Sequence, residues 1–308
     1  MKNKISLIFM TIAFLALLSL GATQTGCSQS KDTNVFNTTG LTLSFVDNAP
    51  PSIINSGTLF PIYLKAENYG GYDVAPGTAR FYLTGIGNNL EGVQTNLINQ
   101  NQLTKKTEQQ EAGFEVLKFA EQATSSLANM NNAFNFSMKA DVCYNYATHT
   151  EATVCIGQGD GMCPLSGNKI RTGSNTNAPI QITNMSEQTQ GNKLYISFLI
   201  ENKGGGKVYY SDLDCDKLYG TDSSARTKEQ LKEGFVEVYI DTGNEPDLKC
   251  SIQSLSGSTI EGTNGMAPVA RKVTCSKIIG MQTNAAPLKI NLAYKYIASV
   301  SKSITLFP

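Results

Sequence analysis

The sequence predicts an all-β chain: two antiparallel β-sandwiches in tandem behind an N-terminal export segment. Three observations carry this reading. Short segments alternate apolar and polar residues with period two, and Gly, Asn and Pro turn signals separate them at intervals of about 8 to 12 residues. The stretch AENYGGYDV (66–74) nearly returns as IENKGGGKV (200–208), 202 minus 68 or 134 residues later. A second segment, MKADVCYNYATHTEATVCI (138–156), lines up with LKINLAYKYIASVSKSITL (288–306), setting Tyr144 and Tyr146 over Tyr294 and Tyr296. Two matched anchors in the same order make duplication the economical reading.

Strands are expected along the chain in sequence. LTLSFVD (41–47) alternates as a half-buried strand does, and FPIYLKAEN (60–68) places Phe60, Ile62, Leu64 and Ala66 on one face. Asn68 with Gly70-Gly71, and Asn202 with Gly204-Gly205, should close their strands, because Asn bonds its own backbone and Gly tolerates positive φ. ARFYLTGI (79–86) and FEVLKFAEQ (114–122) are further strands, joined by a polar connection over 88–110; residues 121–133 suit a helical turn or a loop. In the second copy LYISFLIEN (194–202), GFVEVYIDT (234–242), LKCSIQSL (248–255) and ARKVTCSKII (270–279) are strands, and TKEQLKEG (227–234) a short helix. The two Tyr-bearing segments each read as a strand, a polar turn and a returning strand.

The first 27 residues carry Lys2 and Lys4, an apolar run from Ile5 to about Leu20, then small and polar residues before Cys27, the pattern of an export signal. An uncleaved membrane anchor fits the same run. Thr25-Gly26-Cys27 resembles the end of a lipobox, from which Gln24 departs, so Cys27 is read either as a lipidation site or as a free thiol in a linker. The domain plan is then 1–27 signal peptide or lipoprotein or membrane anchor, 28–40 tether, 41–163 first sandwich, 164–178 linker and 179–308 second sandwich. Cys27 apart, six cysteines remain (143, 155, 163, 215, 250 and 275), the arithmetic of three disulfides in an exported chain. Fifteen connectivities are open; the expected set is Cys143–Cys155 across a hairpin, Cys250–Cys275 between adjacent strands and Cys163–Cys215 from linker to second domain.

LYISFLIENKGGGKV and LKINLAYKYIASVSKSITL resemble the strand and closing hairpin of immunoglobulin-like domains of the cell-adhesion-related (CARDB-like) kind, frequent in archaeal surface proteins. The stretch from VCIGQGDGMCPLSG through NAPIQITNM to ISFLIENKGGGKV is also similar to the inter-domain segment of exported archaeal proteins built from two such domains. The resemblance touches residues 41–308 and implies two tandem Ig-like sandwiches with no catalytic residues to carry over.

Candidate chemistry is sparse. Lys plus Arg and Asp plus Glu number 25 each, so no basic footprint marks a nucleic-acid partner. His149, the single histidine, is expected on a solvated hairpin tip. Asp212, Asp214 and Asp216 begin like a calcium loop, but Lys217 and Ser223 stand where its Gly and Glu belong, which leaves plain solvation the better reading. GQGDGMC (157–163) lacks nucleotide-loop spacing. The Tyr pairs are read as packing rather than as a binding platform. Asn37, Asn135 and Asn184 head N-x-Ser/Thr sequons for glycosylation.

No cofactor is implied. The functional expectation is a non-enzymatic protein on the extracellular face of the cell membrane, tethered by its N-terminus, binding a cell-surface protein or glycan in adhesion or envelope assembly. The alternatives are an exported glycan hydrolase working with two carboxylates, or a structural spacer or filament subunit.

Overall fold

The structure is a computed structural model that describes residues 38–87, 89–125, 132–156, 169–171, 173–241, 248–252, 259–260, 264–279 and 284–308. It is an all-β sandwich whose sheets are antiparallel apart from one short parallel pair, residues 53–55 with 305–307, and residues Phe36–Pro308 form one compact unit. No helix among the described residues is long and apolar enough to cross a membrane.

The two Tyr-bearing segments organise everything else. Each is one continuous strand, β8 (Phe134–Ile156) and β17 (Asn284–Phe307), and the two pair antiparallel over 23 consecutive positions from Asn284↔Ile156 to Leu306↔Phe134. The expected hairpins are therefore corrected. Between Phe134 and Ile156 there is neither Gly nor Pro to turn the chain, and the polar residues around His149 divide between the two faces of one strand, Thr148 and Thr150 inward and His149 and Glu151 outward. Met138, Ala140, Val142, Tyr144, Tyr146, Thr148, Thr150, Ala152 and Val154 are all buried, an unbroken period of two.

Around this pair the remaining strands form three sheets. The shared sheet runs β15 (Asn264–Pro268), β12 (Phe235–Asp241), β17, β8, β4 (Arg80–Thr84), β6 (Asn96–Ile98), with β2 (Ile53–Asn55) and β11 (Lys207–Tyr209) also pairing β17. The first half adds a small sheet of β1 (Leu41–Phe45), β3 (Phe60–Asn68), β7 (Phe114–Ser125) and β5 (Leu90–Glu91). The second adds β14 (Thr259–Ile260), β13 (Lys249–Ile252), β16 (Lys272–Ile278), β10 (Lys193–Asn202) and β9 (Ile180–Gln190). The halves are thus not beads on a linker: their closing strands lie side by side, and one continuous core joins Leu64 and Phe119 of the first small sheet with Ile196 and Phe198 of the second.

The other face of the shared sheet carries a short helical excursion, α1 (Cys215–Tyr219) and α2 (Ser223–Gln230). α2 starts four residues earlier than TKEQLKEG suggests because Asp222 caps it, accepting the Ser224 and Ala225 amides. A separate apolar cluster of Tyr82, Cys143, Tyr209, Leu213, Leu218 and Ile297 packs beneath it. In the first half, β7 occupies 121–125, where a helical turn or loop is the sequence expectation, and the polar connection contains β5 and β6.

Candidate functional site

The repeated Asn-x-Gly-Gly motif builds the same hydrogen-bonded cage twice. In the second half Asn202 Oδ1 accepts the Gly204 amide at 3.1 Å and the Tyr296 hydroxyl at 3.2 Å, while its Nδ2 donates to the Gly206 carbonyl at 2.9 Å. The Gly206 amide donates to the Tyr296 oxygen at 2.8 Å. In the first half Asn68 accepts from the Gly70 amide (3.2 Å) and Tyr146 (3.4 Å) and donates to the Tyr72 carbonyl (2.8 Å), and the Tyr72 amide donates to Tyr146 at 3.3 Å. None of these motif glycines has positive φ. Their role is close approach: a Cβ on Gly70 would lie 1.7 Å from the Tyr146 hydroxyl, and one on Gly204 2.3 Å from that of Tyr296.

Tyr144 and Tyr294 complete the arrangement. The Leu41 amide donates to Tyr144 at 2.9 Å, and Tyr294 meets the Ile180 amide and, at 3.0 Å, the Thr148 hydroxyl. The four rings are buried with centroids 5.5 to 6.4 Å apart in edge-on and tilted contacts. Burial, before any other cause, raises the hydroxyl pKa of all four. Packing, not a binding platform, is what these pairs do.

Where the helices cross the shared sheet, a shallow cleft of about 290 Å³ opens beside β4. Asp216 accepts the Tyr82 hydroxyl at 2.6 Å and pairs with Arg80 at 3.1 Å, and Tyr219 stacks on Tyr82 with centroids 4.0 Å apart. Asp214 caps α1 and pairs with Lys217, whose ammonium and amide hold its carboxyl below the usual range; Asp212 pairs with Lys232. The three aspartates thus share no side-chain partner, and no group of three metal-ligating side chains exists among the described residues. Each charged group lining the cleft is already committed, so the cleft reads as a joint between halves.

The disulfides correct two of the expected pairings. Cys143 bonds Cys215, tying β8 of the first half to α1 of the second across 72 residues, so neither Cys143–Cys155 nor Cys163–Cys215 forms. Cys155 is itself disulfide-bonded. Cys250–Cys275 forms as expected, between β13 and β16. With β8 a single strand, Cys143 and Cys155 lie far apart along it, which is why the hairpin pairing fails. Cys27, Cys163, Asn37 and the stretch 157–163 lie outside the described residues.

His149 sits mid-strand on the outer face of β8, not on a tip. Its Nδ1 lies 2.6 Å from Asn291 Oδ1, directly opposite in register, and its Nε2 3.4 Å from Glu151, which Arg171 also engages. Asn135 is exposed on β8, and Asn184 is exposed in a β-bulge of β9 at φ 51°.

The outer face of the second small sheet is different in kind. A trough of about 340 Å³ runs over β9, β10 and β16. Ser186 and Ser197 face each other across β9 and β10 with hydroxyls 2.9 Å apart, and Gln188 faces Tyr195. Thr274 and Lys272 line it from β16. Hydroxyls, amides, one aromatic ring and a cation thus converge on one open surface, and no carboxylate is among the lining residues. Sequence reasoning missed this face, although Ser186, Gln188 and Gln190 alternate with buried neighbours in the manner that would have shown it.

No protein-family model and no curated protein matches the chain. Among solved structures, the secreted serine protease VesC from Vibrio cholerae is similar at 10% identity and a TM-score of 0.19, over 83% of this chain and 50% of that one. The chain therefore spans about half the length of that protease. A DUF3823 family protein from Bacteroides ovatus is similar at 12% identity and a TM-score of 0.18, over 78% of this chain and 93% of that one. Likeness this slight carries neither fold nor activity across.

Proposed function

We propose that this is a non-enzymatic binding protein of the cell surface, held at the extracellular face of the membrane by its N-terminal segment and serving adhesion or envelope assembly. The observation that carries the reading is the trough on β9, β10 and β16, an open polar sheet face whose hydroxyl and amide groups suit a glycan or a protein surface. The disulfides Cys143–Cys215 and Cys250–Cys275 suit an oxidising compartment. The apolar run before Cys27 and the resemblance to CARDB-like surface domains support the same placement.

The test is protease shaving of intact cells, followed by non-reducing peptide mapping of protein extracted from its native membrane. The expected result is release of peptides from 38–308 by external protease, with an N-terminus that is either lipidated at Cys27 or still attached to residues 1–27. Recovery in the cytosolic fraction with reduced cysteines would overturn the reading, as would robust turnover of any substrate.

A further inference from the structure

We propose that the outer face of β9, β10, β16 and β13 binds an acidic glycan, a polysaccharide carrying carboxylate groups. The proposal deepens the surface-binding reading above and rests on it. Register lays the face out in rows. Gln188, Tyr195, Ser276 and Lys249 stand side by side on the four strands, and Ser186, Ser197, Thr274 and Ser251 form the next row. The buried Cys250–Cys275 bond fixes the β13–β16 register, and with it the outward position of Lys249. Lys193 closes one end, its ammonium 5.2 Å from the Tyr195 ring centroid. Lys272 closes the other, six residues or about 20 Å further along β16 than the position facing Lys193.

Three cations therefore frame a field of neutral groups, hydrogen-bonding except where Ile278 faces Lys193 and Leu199 faces Lys272, and none of the three forms an ion pair among the described residues. Among the described residues of these four strands the outward carboxylate is Glu201, and Lys203 takes it at 2.9 Å. Duplication supplies an internal comparison. On the matching face of the first half Lys65 pairs with Glu67 and Lys118 with Glu121, each at 2.8 Å, so the same sheet surface is there neutralised by its own side chains. Unpaired lysines beside serine, threonine and glutamine groups complement a ligand that offers carboxylates and hydroxyls together, spaced along an extended chain. Contacts repeated along a polymer give avidity that single exposed ion pairs lack, and added salt should weaken them.

The experiment is native affinity electrophoresis of the full chain through gels containing alginate, dextran or polyglutamate. Alginate should retard the protein strongly and dextran weakly. Lys249→Gln with Lys272→Gln should weaken the alginate affinity about tenfold, while the charge-matched Lys65→Gln with Lys118→Gln should leave it unchanged. No retardation, equal loss in both variants, equal retardation by dextran, or retardation by polyglutamate alone would each overturn the proposal. A chain that ignores alginate while being shaved from intact cells overturns the ligand and leaves the surface reading. One that binds alginate through these lysines but fractionates with the cytosol keeps the site and overturns the surface reading.

Discussion

Tyr146 and Tyr296 show how a single hydroxyl dictates its neighbours. Each oxygen is buried, so it must find partners, and it finds them in an Asn side chain and a backbone amide that reach it only where the chain lacks a Cβ. Gly70 and Gly204 are therefore predicted to be intolerant for a reason unrelated to φ. Gly70→Ala and Gly204→Ala should each lower stability by about 1–3 kcal/mol in chemical denaturation, the usual cost of overpacking. Gly205, where an added methyl group would meet nothing within 4 Å, should accept alanine at little or no cost. Equal losses at all three positions would show that chain flexibility, not the hydroxyl, sets the requirement. The pairing of Asn with Gly was legible in the sequence because the motif occurs twice. Its reason was not, because the tyrosine that presses on Gly70 lies 76 residues away and only tertiary structure brings them together.

Among the elements, the helical excursion depends most on a covalent tie. α1 and α2 are short, so their own hydrogen bonds cannot hold them, and they rest on a small apolar cluster outside the main core. Cys143–Cys215 pins that cluster to β8. Cys143→Ala with Cys215→Ala should cost about 2–4 kcal/mol, with the lost hydrogen-exchange protection concentrated at 213–231 and the long strands still protected. Uniform loss across the sheets would place the bond in the global fold instead. Most strands were legible from period-two alternation, as in β3, where every second residue is buried. β8 and β17 were misread because Asn145, Thr148, His149 and Thr150 look like a turn when their partner strand is unseen. That one error displaced His149 to a tip and closed Cys143 onto Cys155, so a wrong element propagated into two wrong site assignments.

Across the whole molecule, the duplicated halves meet at four buried tyrosines, and this gives the fold an alkaline pH limit. Each of these hydroxyls has its pKa raised by burial above the ordinary value of 10.0. A raised pKa means that the folded state holds its proton where the unfolded chain has released it. Their contribution is therefore complete below pH 10.0 and falls as pH rises from there toward the folded values. The rings contact one another and sit on β8 and β17, which carry both halves. Ionising one would place a charge among its neighbours, so they should not titrate one by one in a folded chain. An alkaline titration should show tyrosinate absorbance from the exposed rings first. The buried set should then rise in one steep step that coincides with loss of near-UV dichroism from both halves. Two separated unfolding steps, or smooth ionisation of the buried set with the dichroism intact, would mean that the halves are independent and the shared core is not what joins them.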